Sequence, residues 1–130
     1  MIDIEPQIFS KVVEALPNVY VAGVYEAVPS AFPAVYITEV ENATWRNGIS
    51  SLRQENYAAI EYEVNVYSNK TSGKKTECRE IAAVVDGVME GLNFTRRTFT
   101  PVPNLADSTI YRVVARYRAI VGQDQTLYRR

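Results

Sequence analysis

The feature that most constrains the fold is a segment of two-residue alternation between Tyr57 and Tyr67. One set of alternate positions is polar and comprises Glu61, Glu63 and Asn65. The other set is apolar: Ala58, Ile60, Tyr62, Val64 and Val66. Because successive side chains of a β-strand point to opposite faces of a sheet, this period predicts a strand with one face in a core.

Two further segments have the period of amphipathic helices. Residues 4–16 place Ile8, Val12 and Leu16 four residues apart, and Pro17 follows at the end of the pattern. These features predict a first helix over 4–16. A second helix is predicted over 77–92, with Thr71 or Ser72 as its N-cap and Gly91 at its close. Its apolar face is Cys78, Ile81, Val85, Val88, Met89 and Leu92.

The remaining structure is predicted to be strands and loops. β-Branched and aromatic residues indicate strands over 19–25, 34–40, 94–100 and 108–121, and residues 42–53 are a long loop or an open hairpin. The order is therefore α-β-β-β-α-β-β in one domain, residues 1–122, followed by a polar tail, 123–130. We predict an α+β fold with an antiparallel-rich, mixed sheet of about five strands and two helices packed on one face.

Residue types argue against catalysis. The chain has no histidine, which removes the commonest general base and metal ligand, and its single cysteine, Cys78, lies on an apolar helix face. The six glycines are scattered, so no phosphate-binding loop is formed. Glu61 and Glu63 fit a solvated or salt-bridged strand face better than a catalytic pair. We predict that the protein is not an enzyme and binds no cofactor or metal.

The charges are distributed unevenly along the chain. Residues 1–92 carry 7 basic and 13 acidic side chains, a balance of −6, whereas residues 93–130 carry 7 and 2, a balance of +5. Every base in the second region is an arginine, the cation that binds carboxylates bidentately and is enriched at interfaces. The arginines are Arg96, Arg97, Arg112, Arg116, Arg118, Arg129 and Arg130.

Three interpretations of these arginines are open: an assembly surface that meets the acidic region of an identical neighbour, a site for nucleic acid, and charge pairs within the fold. We favour assembly. The interface candidates are Arg112, Arg116 and Arg118 on the last strand, with Glu61 and Glu63 as acidic partners. Trp45, the only tryptophan, and the tail residues Arg129 and Arg130 complete the set.

The chain resembles the tail terminator (tail completion) proteins of long-tailed bacteriophages. The resemblance covers nearly the whole chain as a pattern of elements rather than as a single motif. It begins with a short N-terminal helix and continues through these segments: PNVYV, FPAVYITEV, YEVNVYSN, CREIAAVVDGVMEGL and RRTFTPVPNLADSTIYRVVARYRAIV.

The resemblance implies a virion protein that forms a homo-oligomeric ring, six-fold in that family, on the head-proximal end of the tail tube. Such a ring ends tube polymerisation and joins the tail to the head, so the implied partners are the tail tube protein and the head–tail connector. DNA passes through its channel. Assembly would take place in the bacterial host cytoplasm, and no membrane is involved. The alternatives are a head-completion or neck connector protein, and a small cytosolic nucleic-acid-binding protein that uses the arginine strand.

Overall fold

The computed structural model describes residues 3–24, 28–44, 57–103, 107–122 and 127–128. The element order confirms the predicted α+β class, with a short strand added near the C-terminus. The elements are α1 (Glu5–Ala15), β1 (Tyr20–Ala22), β2 (Ala34–Thr44), β3 (Tyr57–Ser68), α2 (Lys74–Gly91), β4 (Thr95–Pro101), β5 (Tyr111–Gly122) and β6 (Leu127–Tyr128).

The strands form one mixed sheet in the order β1-β2-β3-β5-β4, with β6 also paired to β5. Among the described strands, only the β1–β2 pair is parallel; the other pairs are antiparallel, as predicted for most of the sheet. β3 and β5 pair over their whole lengths, from Tyr57 opposite Gly122 to Ser68 opposite Tyr111. These two 12-residue strands therefore form the centre of the sheet.

Both helices pack on one face of this sheet, as the sequence predicts. The main core joins the inward residues of α1 and α2 to the apolar faces of β2, β3 and β5. Tyr62 of β3 and Phe94, which follows α2, meet edge to face with ring centroids 6.0 Å apart. The apolar alternation of β3 faces this core, and Tyr62, Val64 and Val66 are almost completely buried there. We call this the covered face, and the opposite one, on which no described helix packs, the uncovered face.

The start of α2 differs from the prediction. The N-cap is Gly73, with φ at 83°, and no side chain caps the helix, so the assignment of Thr71 or Ser72 was wrong. A positive φ is adopted readily by glycine and at a cost by other residues, so the chain reverses at Gly73 and α2 begins at Lys74. The hydroxyl of Ser68 instead donates a 2.6 Å hydrogen bond to Glu77 in the first turn.

Strand β2 is longer than predicted because Asn42, Ala43 and Thr44 continue its ladder opposite β3. Residues 45–56, including Trp45, lie outside the described residues. Within the predicted tail, Leu127 and Tyr128 pair with β5 opposite Val121 and Ile120. The division of the chain at residue 122 stays a prediction. None of the described helices has the length and apolar character needed to cross a membrane.

Candidate assembly surface

The uncovered face carries alternating charges that the strand register places side by side. On β5, Arg118 lies directly opposite Glu61 of β3, and Arg116 lies opposite Glu63. On the other side of β3, Glu61 is paired with Glu41 of β2. We call these five residues the charge ladder. Since opposite charges directly across a sheet attract and like charges repel, the two arginines offset the repulsion among the three carboxylates.

Arg116 of β5 binds two carboxylates that both belong to β3. Its Nη2 and Nε atoms donate to Glu63 Oε2 at 2.8 and 3.2 Å, and its Nη1 atom lies 3.5 Å from Glu61 Oε2. The contact with Glu63 uses two nitrogens of the guanidinium fork, a geometry that fixes the side chain as well as its charge.

Arg118 extends the ladder to a third strand. Its Nε atom lies 3.3 Å from Glu61 Oε1, and its Nη2 atom lies 3.7 Å from Glu41 Oε2. Glu61 is thus held between two arginines. The Glu61 side chain is only 11% exposed, whereas that of Arg116 is 46% exposed, so the carboxylate lies deep and the arginine forms the outer layer.

Beyond the charge ladder, polar contacts continue toward an aromatic cluster. Asn65 donates to Glu63 Oε1 at 3.0 Å, and Arg112 Nε donates to Asn65 Oδ1 at 2.9 Å. The Arg112 guanidinium lies 5.6 Å from the centroid of the Tyr67 ring, which packs against Tyr36. This end of the uncovered face is a small buried cluster of Ala34, Tyr36, Tyr67 and Ile110.

The structure brings together five of the predicted interface residues: Arg112, Arg116, Arg118, Glu61 and Glu63. The contacts they make are within the chain, as in the third interpretation of the arginines. A role at an interface between proteins stays a prediction. Trp45, Arg129 and Arg130 lie outside the described residues.

Glu41 is the ladder residue that sequence reasoning missed. Counting two residues per period places Glu41 on the same face as Glu39, whose carboxylate accepts a hydrogen bond from Tyr62 on the covered face. A register irregularity between Glu39 and Glu41 reverses the alternation, so Glu41 lies opposite Glu61 instead. Two glutamates flanking Val40 were the only signal, and they do not by themselves indicate a bulge.

Cys78 is a core residue, as its helical position predicts. The side chain is completely buried, and its Sγ atom lies 3.5 Å from the carbonyl oxygen of Tyr111. Burial, with a smaller contribution from the charge of Glu77, raises the pKa of the thiol to about 12. The thiol is therefore protonated at neutral pH, a state that disfavours nucleophilic attack. Among the described residues, no group of three or more acidic or cysteine side chains could hold a metal.

The fold has a counterpart among solved structures. A chain in a structure described as the virion of a native gene transfer agent (GTA) particle matches with a TM-score of 0.60. The match covers 85% of this chain and 88% of that chain, at 12% sequence identity. No protein-family model and no curated protein matches this chain. At this identity the likeness establishes a shared fold.

Proposed function

We propose that this protein is a structural component of a phage-like virion that caps the tail tube as a ring. In this role it ends tail polymerisation and provides the surface for joining the head, with no catalytic activity. Its partners are further copies of itself in the ring, six if it follows the tail terminator pattern, together with the tail tube protein and the head–tail connector. DNA passes through the ring without specific contacts.

The observation that carries the proposal is the fold match with a chain of a gene transfer agent virion over 85% of the present chain. The match extends over nearly the whole of both chains, so it concerns the complete domain rather than one common motif. It agrees with the resemblance to tail terminator proteins, which depends on the same order of elements. A virion location supports a role in protein assembly, and the absence of histidine from the sequence favours a non-catalytic role.

The charge ladder supports a protein partner better than a nucleic acid. Arg116 and Arg118 each lie within 3.7 Å of two carboxylates, which neutralise much of the potential that would attract phosphates. We propose that the ladder instead contributes to the face that meets the tail tube or a neighbouring subunit. A surface of alternating, already paired charges favours partners with the matching pattern and disfavours others, so it contributes specificity more than affinity.

The same fold match also supports a head-completion or neck connector protein, because the matching structure is described as a whole virion and not as one part of it. The two roles differ in what the protein binds. A tail terminator binds the end of a tail tube, whereas a neck protein binds the head half-particle. Binding to purified tails and to purified heads of a phage-like particle that encodes the protein therefore separates the two roles.

The deciding experiment measures the mass of the purified protein by light scattering across concentration and salt, with and without tail tube subunits. We expect a ring-sized species, alone or on the tube, and tubes whose growth stops when the protein is added. Electron microscopy of the tube ends would show the ring directly. A monomer that is indifferent to tube protein and binds heads would favour the neck role. DNA affinity that falls steeply with salt would favour the nucleic-acid alternative.

A further inference from the structure

Two edges of the sheet carry backbone that no described strand covers. Among the described strands, β4 pairs only with β5, so no described strand lies along its outer edge from Arg96 to Pro101. β1 covers β2 only from Ala34 to Tyr36, so the half of β2 from Ile37 to Thr44 has β3 on one side and no described strand on the other. Exposed strand edges present unpaired amides and carbonyls, which makes them templates for pairing with another chain.

The β4 edge is basic. Arg97 is exposed at the register irregularity of β4. Two other arginine guanidinium groups lie over the Phe99 ring: that of Arg96 in β4 is 5.9 Å from the ring centroid, and that of Arg79 in α2 is 5.7 Å from it. Arg96 is paired with Asp86 at 3.2 Å. Within the described chain, neither Arg79 nor Arg97 has a carboxylate partner. We call Arg79, Arg96, Arg97 and Phe99 the basic edge.

The open half of β2 is acidic. It carries Glu39 and the 43% exposed Val40, and Glu5 of α1 lies close to Glu39. Partial burial, and after it the charges of Asp3 and Glu39, raise the pKa of Glu5. The ion pairs of the described residues include neither Glu5 nor Glu39. We call Glu5, Glu39 and Val40 the acidic edge.

The two edges cannot meet within one chain. β2 and β4 are separated by β3 and β5 in the sheet, which is three strand spacings or about 14 Å. The Arg96 and Glu39 side chains of the two edges both lie on the covered face, because Arg96 is paired with Asp86 of α2 and Glu39 is bonded to Tyr62 of the core. A second copy in a similar orientation can therefore set its basic edge beside the acidic edge of the first.

We propose that the basic edge of one copy docks on the acidic edge of the next, with β4 running along the open half of β2. The contact is heterologous, since it joins two different surfaces, and such contacts generate a closed ring or an open filament. It deepens the proposed ring by naming the surfaces through which the copies meet, and only its closure into a ring depends on the proposed function.

Charges also occur on sheet edges simply to prevent aggregation, but that role does not need opposite signs. Two edges with the same sign would repel identical copies more strongly. Here one edge offers Arg79 and Arg97, which lack a carboxylate partner among the described residues, and the other offers Glu5 and Glu39, which form no ion pair there. These opposite charges disfavour edge-to-itself pairing and favour pairing between unlike edges. The partner that fits both edges is therefore a second copy of this chain.

Disulfide cross-linking tests whether the two edges of neighbouring copies come close together, even when association is weak. Val40→Cys on the acidic edge is combined in one chain with Thr98→Cys, which lies in β4 between Arg97 and Phe99 of the basic edge, and the concentrated protein is mildly oxidised. We expect a ladder of covalent dimers, trimers and larger species, because each copy is linked on both sides. Each single variant should give no such ladder. The matched control combines Val40→Cys with Ser72→Cys, which lies in an exposed turn before α2. Native Cys78 is buried and does not interfere.

Charge reversal tests the energetics. Arg97→Glu and Glu5→Lys should each weaken self-association about tenfold, measured by sedimentation across concentration, because each places like charges across the contact. The two changes together should restore most of the affinity. Lys70→Glu, which makes the same charge change in the loop after β3, is the control and should have little effect.

The outcomes separate this inference from the proposed function. Assembly on the tail tube without the covalent ladder, and without an effect of Arg97→Glu, would overturn the edge contact and leave the capping role standing. A covalent ladder with no affinity for tail tubes would support the edge contact and count against capping. A protein that shows neither ladder nor self-association at any concentration, with or without tube, overturns the edge contact, and a lack of tube binding then counts against capping as well.

Discussion

Replacing Arg118 with methionine tests whether the charge ladder stabilises the sheet. The change removes the guanidinium that bridges Glu61 and Glu41 but keeps an apolar stem of similar length. These two glutamates are directly opposite each other on neighbouring strands, so without Arg118 their repulsion is only partly offset by Arg116. We therefore expect the folded state to be destabilised.

The burial of the pair bounds the size of the effect. Breaking a fully buried ion pair costs about 3–5 kcal/mol, whereas an exposed pair contributes about 0–1 kcal/mol. Glu61 and Arg118 are 11% and 22% exposed, and Arg116 remains 3.5 Å from Glu61. We expect a loss of about 1.5–2.5 kcal/mol in the free energy of unfolding. For a domain of this size that corresponds to a fall in Tm of roughly 5–10 °C.

Urea unfolding followed by circular dichroism measures this loss. A double-mutant cycle with Glu61→Gln isolates the pair, and we expect a coupling energy of about 1 kcal/mol because glutamine removes the uncompensated charge. Arg97→Met is the matched control, since Arg97 is exposed and lacks a carboxylate partner in the described chain; it should change stability by less than about 0.5 kcal/mol. If Arg118→Met costs no more than Arg97→Met, the ladder does not stabilise the fold and the reasoning is refuted.

Three further predictions concern buried groups. Native Cys78 should resist thiol reagents and react only on unfolding, because it is buried with its pKa raised to about 12; rapid labelling of the folded protein would contradict this. The free energy of unfolding should be at its full value below about pH 9 and fall as the pH rises toward 12, because burial raises the pKa of Cys78, Tyr62 and Tyr117 above their unfolded values. The loss should reach up to about 1.4 kcal/mol per pH unit for each group. Urea unfolding at pH 8 and pH 10.5 measures it. Tyr117→Phe removes a 2.9 Å hydrogen bond to Asp86 and should cost about 1.5 kcal/mol near neutral pH while reducing the alkaline loss; an unchanged alkaline loss would exclude Tyr117 as a contributor.

The parts of the fold that the sequence predicted are those governed by a local period. The alternation in β3 and the four-residue spacing in α1 and α2 are set by which side chains face the core, and the core formed as those patterns indicate. The pairing of Glu61 and Glu63 with the arginines of β5 could also be predicted from the sequence, because β3 and β5 are long enough for opposite charges to lie across from each other.

The parts that were missed depend on single backbone conformations or on the partner of a short segment. The register shift of one residue between Glu39 and Glu41 moves the Glu41 carboxylate to the other face of the sheet, and the sequence periodicity does not predict this shift. The start of α2 is set by the positive φ of Gly73, although two residues before it are better capping types. β6 has only two residues, and its pairing is decided by the edge that β5 leaves open.

The charge ladder also bears on how the sheet is specified. If β5 slipped by one residue against β3, Arg116 and Arg118 would turn toward the helix-covered core, where no described carboxylate of β3 could meet them. The cost of an unpaired buried guanidinium disfavours that slip more strongly than a loss of apolar contacts alone would. The same slip would displace β4, which pairs with no other described strand than β5, and with it the basic edge. For the proposed edge contact, accurate register between β3 and β5 is therefore a condition for the edges to lie at the spacing that a neighbouring copy requires. In that proposal the partly buried ion pairs contribute to assembly even where they make no contact with the partner.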